Sequence, residues 1–277
     1  LLVVRWSGFE GIQPVQPVAD QQSQIPVQTQ YPNESAGTST LPSLAEEPVI
    51  KETFVDSGHQ YISVKTDVID VTLDTLGGDI VEIKLLKNLT QMEVDGGQPI
   101  TLLTRSNGDL FVAESGLIGK DGTDTANGRP KFSSVSSSYE LLDGESSLNV
   151  DLVYVQNGVD IIKRFEFKPS NYQIGISYLI NNPTMSPWSA TFFGQFKRDD
   201  HEPESSASAG MKPYLGAALR EQDKNYAKYS FSDIEDDSVK SSVTGGWLAF
   251  VQHYFVSAWV LPTDQKSSYS LRKLSGQ

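Results

Sequence analysis

Alternating apolar and polar residues recur along the chain from about residue 55 onward. In the first run, residues 69–73, every second residue is apolar, and the alternation returns in residues 81–85 after Gly77-Gly78. A period of two places the apolar side chains on one face of a β-strand, because successive side chains of a strand point to opposite faces. The two runs, with a glycine turn between them, predict a β-hairpin with one buried face.

A second hairpin is predicted by a stronger signal. Residues 148–154 alternate and lead into Asn157-Gly158, after which the alternation resumes in residues 161–167. Asparagine and glycine tolerate the positive φ angles that a type I′ turn requires, and such a turn matches the twist of two paired strands. This segment is the clearest hairpin in the sequence.

The remaining pattern is also typical of strands. Alternating runs in 172–180 and 188–196 predict two more, and no long apolar stripe at helical spacing accompanies them. The best helical candidate is 221–228, in which Lys224 and Lys228 lie one turn apart. The folded part is therefore predicted to be all-β, with roughly a dozen or more strands that split into two packed layers of antiparallel sheet.

Residues 245–260 contain no charge and no proline and include Trp247 and Trp259. It is too short to cross a bilayer, which takes roughly 20 consecutive apolar residues, and Gln252 and His253 interrupt it. Valine and aromatic residues are enriched in it, as they are in strands. It is predicted to be a core strand in which both tryptophans are largely buried.

The N-terminal part of the chain has a different composition. Residues 12–54 are rich in glutamine, proline and serine. Such a segment cannot bury enough apolar surface to offset the entropy lost on ordering it, so a flexible linker is predicted there. The folded domain is expected to cover residues 55–277.

Charge and cysteine content exclude several classes of function. The formal net charge of −13 argues against nucleic acid and against anionic lipid surfaces, because both attract basic patches. The sequence contains no cysteine, which excludes disulfides, thiolate catalysis and Cys-ligated metals.

No residues stand at the spacing that a catalytic, cofactor or metal site requires. The histidines, His59, His201 and His253, do not form an HxH or HxxxH pair. The acidic residues in 233–237 and the Asp121–Asp124 segment supply only fragments of a calcium loop. We therefore predict a protein that is not an enzyme and holds no cofactor or metal.

Four blocks of sequence resemble the large periplasmic domain of the YidC family of bacterial membrane-protein insertases. They stand in the family's order, which makes them more specific together than any one motif alone. The blocks are residues 61–70 with 75–80, 115–122 with 126–130, 193–196, and 214–218 with 224–231 ahead of the tryptophan segment.

The resemblance implies a fold and a place in the cell. The fold would be a β-supersandwich similar to galactose mutarotase, in a domain truncated at its C-terminus. Residues 1–11 would be a remnant or an altered form of the family's N-terminal membrane anchor, or else a disordered terminus. The chain would be attached to the bacterial inner membrane and face the periplasm.

The resemblance also implies a function. The domain would dock and scaffold an insertase that helps inner-membrane proteins insert and fold, alone or with the SecYEG translocon and SecDF. Nascent membrane proteins would be handled by transmembrane helices that lie outside this chain. The residues predicted to dock SecDF are Tyr214, Lys224, Tyr226, Lys228, Tyr229 and Phe231. The alternative is that these tyrosines merely close the edge of the sandwich.

Two other functions stay open at this stage. Large sandwiches expose concave faces, so the domain would alternatively bind a glycan or a peptide in a cleft. The mutarotase relatives suggest an aldose epimerase, with His253 as acid and Glu166 as base, although a shared fold does not transfer an activity.

Overall fold

The computed structural model describes residues 2–7, 59–106, 108–199, 214–236, 238–252 and 254–274. For residues 2–7 it describes the backbone only. The linker predicted for residues 12–54 lies outside these ranges. Within them, no helix has the length and apolar character that crossing a membrane demands.

Strands make up most of the described chain. The strands are β1 Leu2–Ser7, β2 Tyr61–Lys65, β3 Ile69–Asp74, β4 Asp79–Leu89, β5 Pro99–Ser106, β6 Asp109–Ile118, β7 Ser138–Glu140, β8 Leu148–Gln156, β9 Val159–Phe167, β10 Gly175–Asn181, β11 Thr191–Arg198, β12 Leu215–Leu219, β13 Ala227–Tyr229, β14 Val239–Gln252 and β15 Phe255–Lys273. A 3₁₀ turn spans Glu93–Asp95, and the α-helix α1 spans Phe231–Asp236.

The strands form two sheets. The large sheet has twelve strands in the order β13-β12-β14-β15-β1-β11-β6-β5-β4-β3-β2-β7, and the small sheet has the order β10-β9-β8. Neighbouring strands are antiparallel except for the β2–β7 pair. The two sheets share a hydrophobic core, to which the small sheet contributes Val150, Leu152 and Phe165, and a second, smaller cluster of Leu117, Val159 and Ile161. The prediction of an all-β sandwich of antiparallel sheets is confirmed.

Both predicted hairpins are present. In β3–β4, Ile69 lies opposite Leu85 and Val71 opposite Ile83. In β8–β9, the turn residues Asn157 and Gly158 have φ angles of 52° and 79°, as a type I′ turn requires. The alternation therefore identified the strands, and the Asn-Gly pair identified the turn.

Residues 221–228 are not helical, contrary to the sequence prediction. The Glu221 amide donates to the Lys224 carbonyl in a turn, and β13 follows. Pairing with β12 outweighs the weak helical preference, because it buries Ala227 at the sheet edge. The helix begins later, where the Ser230 hydroxyl accepts from the Asp233 amide and the Asp233 carboxylate accepts from the Ser230 amide.

The uncharged stretch 245–260 is not a single core strand. It covers the end of β14 and the start of β15, which pair as a hairpin. Trp247 and Trp259 are only half-buried, whereas Phe250 is fully buried. Trp259 packs against Phe196 of the core, with 5.8 Å between the ring centres, whereas Trp247 lies on the face that points away from the core, so neither tryptophan is fully buried.

The chain start is a strand. The backbone of β1 pairs with β11 on one side and with β15 on the other, with Leu2 opposite both Arg198 and Lys273. Residues 2–7 are therefore an ordered strand, and the alternative of a disordered terminus does not hold for them. The relation of residues 1–11 to a membrane anchor stays a prediction.

Candidate functional site

The six residues predicted to dock a partner lie between the start of β12 and α1, but they do not share one face. Lys228 lies opposite Ala218, which in turn lies opposite Ala249. Directly opposed residues of neighbouring strands share a face of the sheet. The Lys228 side chain therefore lies over these two alanines, on the face that points away from the hydrophobic core.

Three of the six residues stack together on this outer face. The Lys228 ammonium lies 4.7 Å from the Tyr214 ring centre and 5.5 Å from that of Tyr226. The Tyr226 ring lies 5.6 Å from Trp247. We call Tyr214, Lys228, Tyr226 and Trp247 the aromatic ladder. Cation–π contacts of this kind hold the lysine against the rings and cover the alanines beneath.

The other three residues are placed differently. Tyr229 lies opposite Ala217, which belongs to the core, and its hydroxyl bonds the Glu221 carboxylate. Phe231 packs on Phe250 in the same core. Lys224 is exposed in the turn before β13. Tyr229 and Phe231 thus mainly close the sandwich, so Tyr214, Tyr226 and Lys228 are the members of the predicted set that face outward together.

The sequence reasoning missed the apolar residues that extend this face along β15. Val260 lies opposite Trp247, and Val256 lies opposite Val251. Val256 and Val260 are 59% and 71% exposed. We call the aromatic ladder together with Val256, Ala258 and Val260 the docking face. Both faces of this hairpin are apolar, so the sequence pattern gave no signal for which one was exposed.

A cluster of charged side chains is buried between the two sheets. The Arg129 guanidinium pairs with Asp79 and with Asp124, at 2.8 Å in the latter case. The Lys163 ammonium, from β9 of the small sheet, donates to the carbonyls of Gly77 and Ser115 in the large sheet at 3.0 and 2.8 Å. These bonds join the two sheets through polar groups as well as through the apolar core.

Glycines in the family-like blocks make room for this cluster. A Cβ at Gly77 would lie 2.4 Å from Arg129, and Gly77 also has a φ of +76°. A Cβ at Gly116 would lie 2.3 Å from the Asp124 carboxylate. Such distances are far below van der Waals contact, so only glycine fits beside the buried charges. The Gly77-Gly78 and Gly116 motifs therefore have a structural explanation.

Burial changes the acidity of these groups. Burial lowers the pKa of Lys163 to about 7, and it raises the pKa of Asp79 to about 6. Burial also opposes the charge on Arg129, but the carboxylates of Asp79 and Asp124 outweigh it and raise the pKa of Arg129. The guanidinium therefore stays charged, while Lys163 and Asp79 titrate within a mild pH range.

We expect the stability contributed by Lys163 to depend on pH. Unfolding returns its pKa to about 10.4, so between pH 7 and 10 the unfolded chain binds more protons and stability rises with pH. Relative to Lys163→Met, the wild type should gain about 2 kcal/mol of unfolding free energy from pH 7.5 to 9. Denaturant titrations at both pH values measure this. As a control, Lys168→Met changes an exposed lysine just after β9, and its unfolding free energy should rise between pH 7.5 and 9 as much as that of the wild type. If the unfolding free energy of Lys163→Met also rose as much as that of the wild type, the prediction would be wrong.

Where the structure describes them, the residues considered for chemistry are not assembled into an active site. Glu166 lines a shallow groove of about 370 Å³ on the small sheet, where Lys168 lies 3.4 Å away. His253 and His201 lie outside the described residues. His59 bonds the Asp74 carboxylate at 2.6 Å. Among the side chains that the structure describes, no three histidine or acidic groups converge on a point that would hold a metal.

Comparison with known proteins agrees with the fold. A family model described as the YidC periplasmic domain matches residues 61–277. A protein named "Membrane protein insertase YidC" from Cellvibrio japonicus is 40% identical over 278 residues, which cover 100% of this chain and 50% of the relative. A relative of the same name from Saccharophagus degradans is 43% identical over 77% of this chain and 38% of its own length. Another, from Azotobacter vinelandii, is 37% identical over 99% of this chain and 50% of its own length.

The chain thus spans at most about half the length of these curated relatives. The family match begins at Tyr61, the first residue of β2, and includes every strand except β1 as well as the docking face. It confirms the resemblance seen in the sequence blocks. The chain belongs to the family of YidC periplasmic domains.

Proposed function

We propose that the chain is the periplasmic docking and scaffold domain of a YidC-type insertase at the bacterial inner membrane. In this role it assists the insertion and folding of inner-membrane proteins, alone or beside the SecYEG translocon, without a chemical step of its own. The names of its relatives support the insertase assignment. Nascent membrane proteins are handled by the parts of the insertase outside this chain.

The docking face is the observation that carries the docking role. It combines the partly exposed rings of Tyr214, Tyr226 and Trp247 and a lysine with valines that are more than half exposed. Aromatic residues in the centre with few charges around them are typical of protein interfaces. The face is also preorganised, because Lys228 is held between the rings of Tyr214 and Tyr226. The lysine side chain therefore loses less conformational entropy when a partner binds this face. We propose SecDF as this partner.

The double variant Tyr226→Ser with Lys228→Ser tests the docking role. In the full-length insertase it should weaken co-purification with SecDF by about tenfold, which corresponds to about 1.4 kcal/mol. The circular dichroism and melting temperature should stay nearly unchanged, because neither side chain lies in the hydrophobic core. Tyr229 is left intact, since it packs against that core.

The small sheet offers a matched control. Tyr172→Ser with Lys168→Ser removes a tyrosine that is 51% exposed, against 50% for Tyr226, together with an exposed lysine. This control should retain SecDF. Full retention by a folded docking-face variant would rule out this face, and unfolding of that variant would mean that Tyr226 only closes the sandwich edge.

A peptide- or glycan-binding module is the second candidate, and the groove on the small sheet favours the peptide. Its lining residues carry no aromatic ring on which a sugar would stack; they are Asn149, Arg164, Glu166, Gly175, Ile176 and Ser177. Three of the six belong to β10, whose main chain is available to an extended polypeptide. An epimerase would need an acid and a base within reach of one substrate, and Glu166 is not paired with such an acid among the described residues.

A further inference from the structure

Strand β10 is an open edge of the small sheet. It pairs with β9 along its whole length, and among the described residues no strand pairs with its other side. In an antiparallel sheet, about half of the amide and carbonyl groups of an edge strand point away from the sheet. These groups are free to pair with another extended chain.

The other outermost strands are protected and β10 is not. In the large sheet, the outermost strands β7 and β13 have only three residues each and carry Glu140 and Lys228. In the small sheet, β8 is partly covered by a bridge from Ser133 to Val153. β10 has seven residues, Gly-Ile-Ser-Tyr-Leu-Ile-Asn, with no charge and no proline. Short length, lysine and proline are the usual means of blocking an edge.

Exposed apolar side chains accompany this edge. Leu179, within β10, is 40% exposed. Tyr172 lies three residues before the strand and is 51% exposed, and Met185 lies four residues after it and is fully exposed. Backbone pairing supplies affinity to an added strand, and side-chain contacts supply its selectivity. A flexible methionine adapts to different partners.

We propose that β10 binds an extended segment of another polypeptide, which adds a fourth strand to the small sheet. The segment has apolar residues at every second position, which continue the row of Ile176 and Ile180 on one face, while its intervening residues lie on the face of Leu179. Its end beside Asn181 is basic, because the Asp160 carboxylate lies there, 3.0 Å from the Asn181 side-chain amide, and attracts a positive charge. A second copy of this chain fits less well, because each copy has a net charge of −13.

A synthetic peptide tests this proposal. The peptide alternates valine and threonine, has one tyrosine and a lysine at each end, and is labelled for fluorescence anisotropy with the full chain. It should bind, and hydrogen exchange of residues 175–181 should slow in its presence. A version N-methylated at alternate amides, which cannot pair along the edge, should lose binding by at least about tenfold.

Protein variants locate the site. Leu179→Lys places a charge on the edge strand and should weaken the peptide by about tenfold. Leu142→Lys makes the same change at a 60% exposed leucine between β7 and β8, away from β10, and should bind normally. Ser177→Lys serves as a second edge variant if Leu179→Lys melts at a lower temperature than the wild type.

Three outcomes would overturn the proposal. Equal binding of the N-methylated peptide would show that the backbone edge is not used. Unchanged exchange in residues 175–181 would place the peptide elsewhere. A dimer that Leu179→Lys abolishes, with no binding of the peptide, would make a second copy the occupant. None of these results affects the proposed docking of SecDF, which would use the outer face of β12 to β15 in the large sheet.

Discussion

Replacing Arg129 with methionine should cost the domain about 3 to 5 kcal/mol of unfolding free energy. Methionine fills a similar volume, so the loss comes mainly from charge. It leaves the carboxylates of Asp79 and Asp124 buried without their cation, at side-chain exposures of 4% and 8%. Two backbone carbonyls, of Gly77 and Ser115, also lose a donor. Urea titration with a fluorescence readout measures the change.

Arg164→Met is the matched control for this prediction. Arg164 pairs with Asp151 through two parallel hydrogen bonds of 2.7 Å, whereas Arg129 makes a single bond to each of its two carboxylates. The pair lies on the surface, however, where water solvates both charges after the change. Its loss should leave the denaturation midpoint nearly unchanged. Equal effects of the two substitutions would mean that the Arg129 cluster is open to solvent, and the role assigned to it in joining the sheets would be wrong.

Phe250→Ala should cost about 3 to 5 kcal/mol, the range for deleting a large aromatic side chain from a core. Phe250 is fully buried and meets Phe111 edge-on at 5.6 Å, with Phe196 and Phe231 at 6.2 and 6.3 Å. Four rings from three strands and the helix α1 thus meet at one point. Removing the central ring leaves a cavity that rigid neighbours cannot fill by small movements. The measurement is again the midpoint of denaturant unfolding.

Two variants in the same hairpin check the assignment of its faces. Trp247→Ala should cost clearly less than Phe250→Ala, because Trp247 lies half-buried on the docking face. Val256→Ala should have little effect, since Val256 is 59% exposed. If Trp247→Ala proved the most destabilising of the three, the docking face would belong to the core.

Local patterns were sufficient for the strands and hairpins. The period of two identified β3, β4, β8 and β9, and Asn157-Gly158 identified a turn. The pairing of strands that lie far apart in the sequence could not be predicted, because the alternation within one strand does not indicate which strand lies beside it. Lys228 and Tyr229 show the result: which of them points outward depends on whether each lies opposite Ala218 or Ala217.

The buried cluster had a signal in the sequence that went unread. Lys163 stands in phase with Ile161 and Phe165, on the buried side of β9. A lysine at an inward position of an amphipathic strand requires buried partners. The identity of those partners could not follow, because Asp79, Asp124 and Arg129 come from other segments that only the packing of the two sheets brings together.

The length of β15 gives the docking face a mechanical property. Its nineteen residues pair with β14 in two stretches, 255–261 and 266–271, with a shift of register between them. Its hydrogen bonds to β14 run across the strand direction. A pull on the docking face along this strand therefore loads many bonds at once in shear, whereas a pull away from the sheet would break them one after another. A partner held on this face can transmit force along the sheet without opening it.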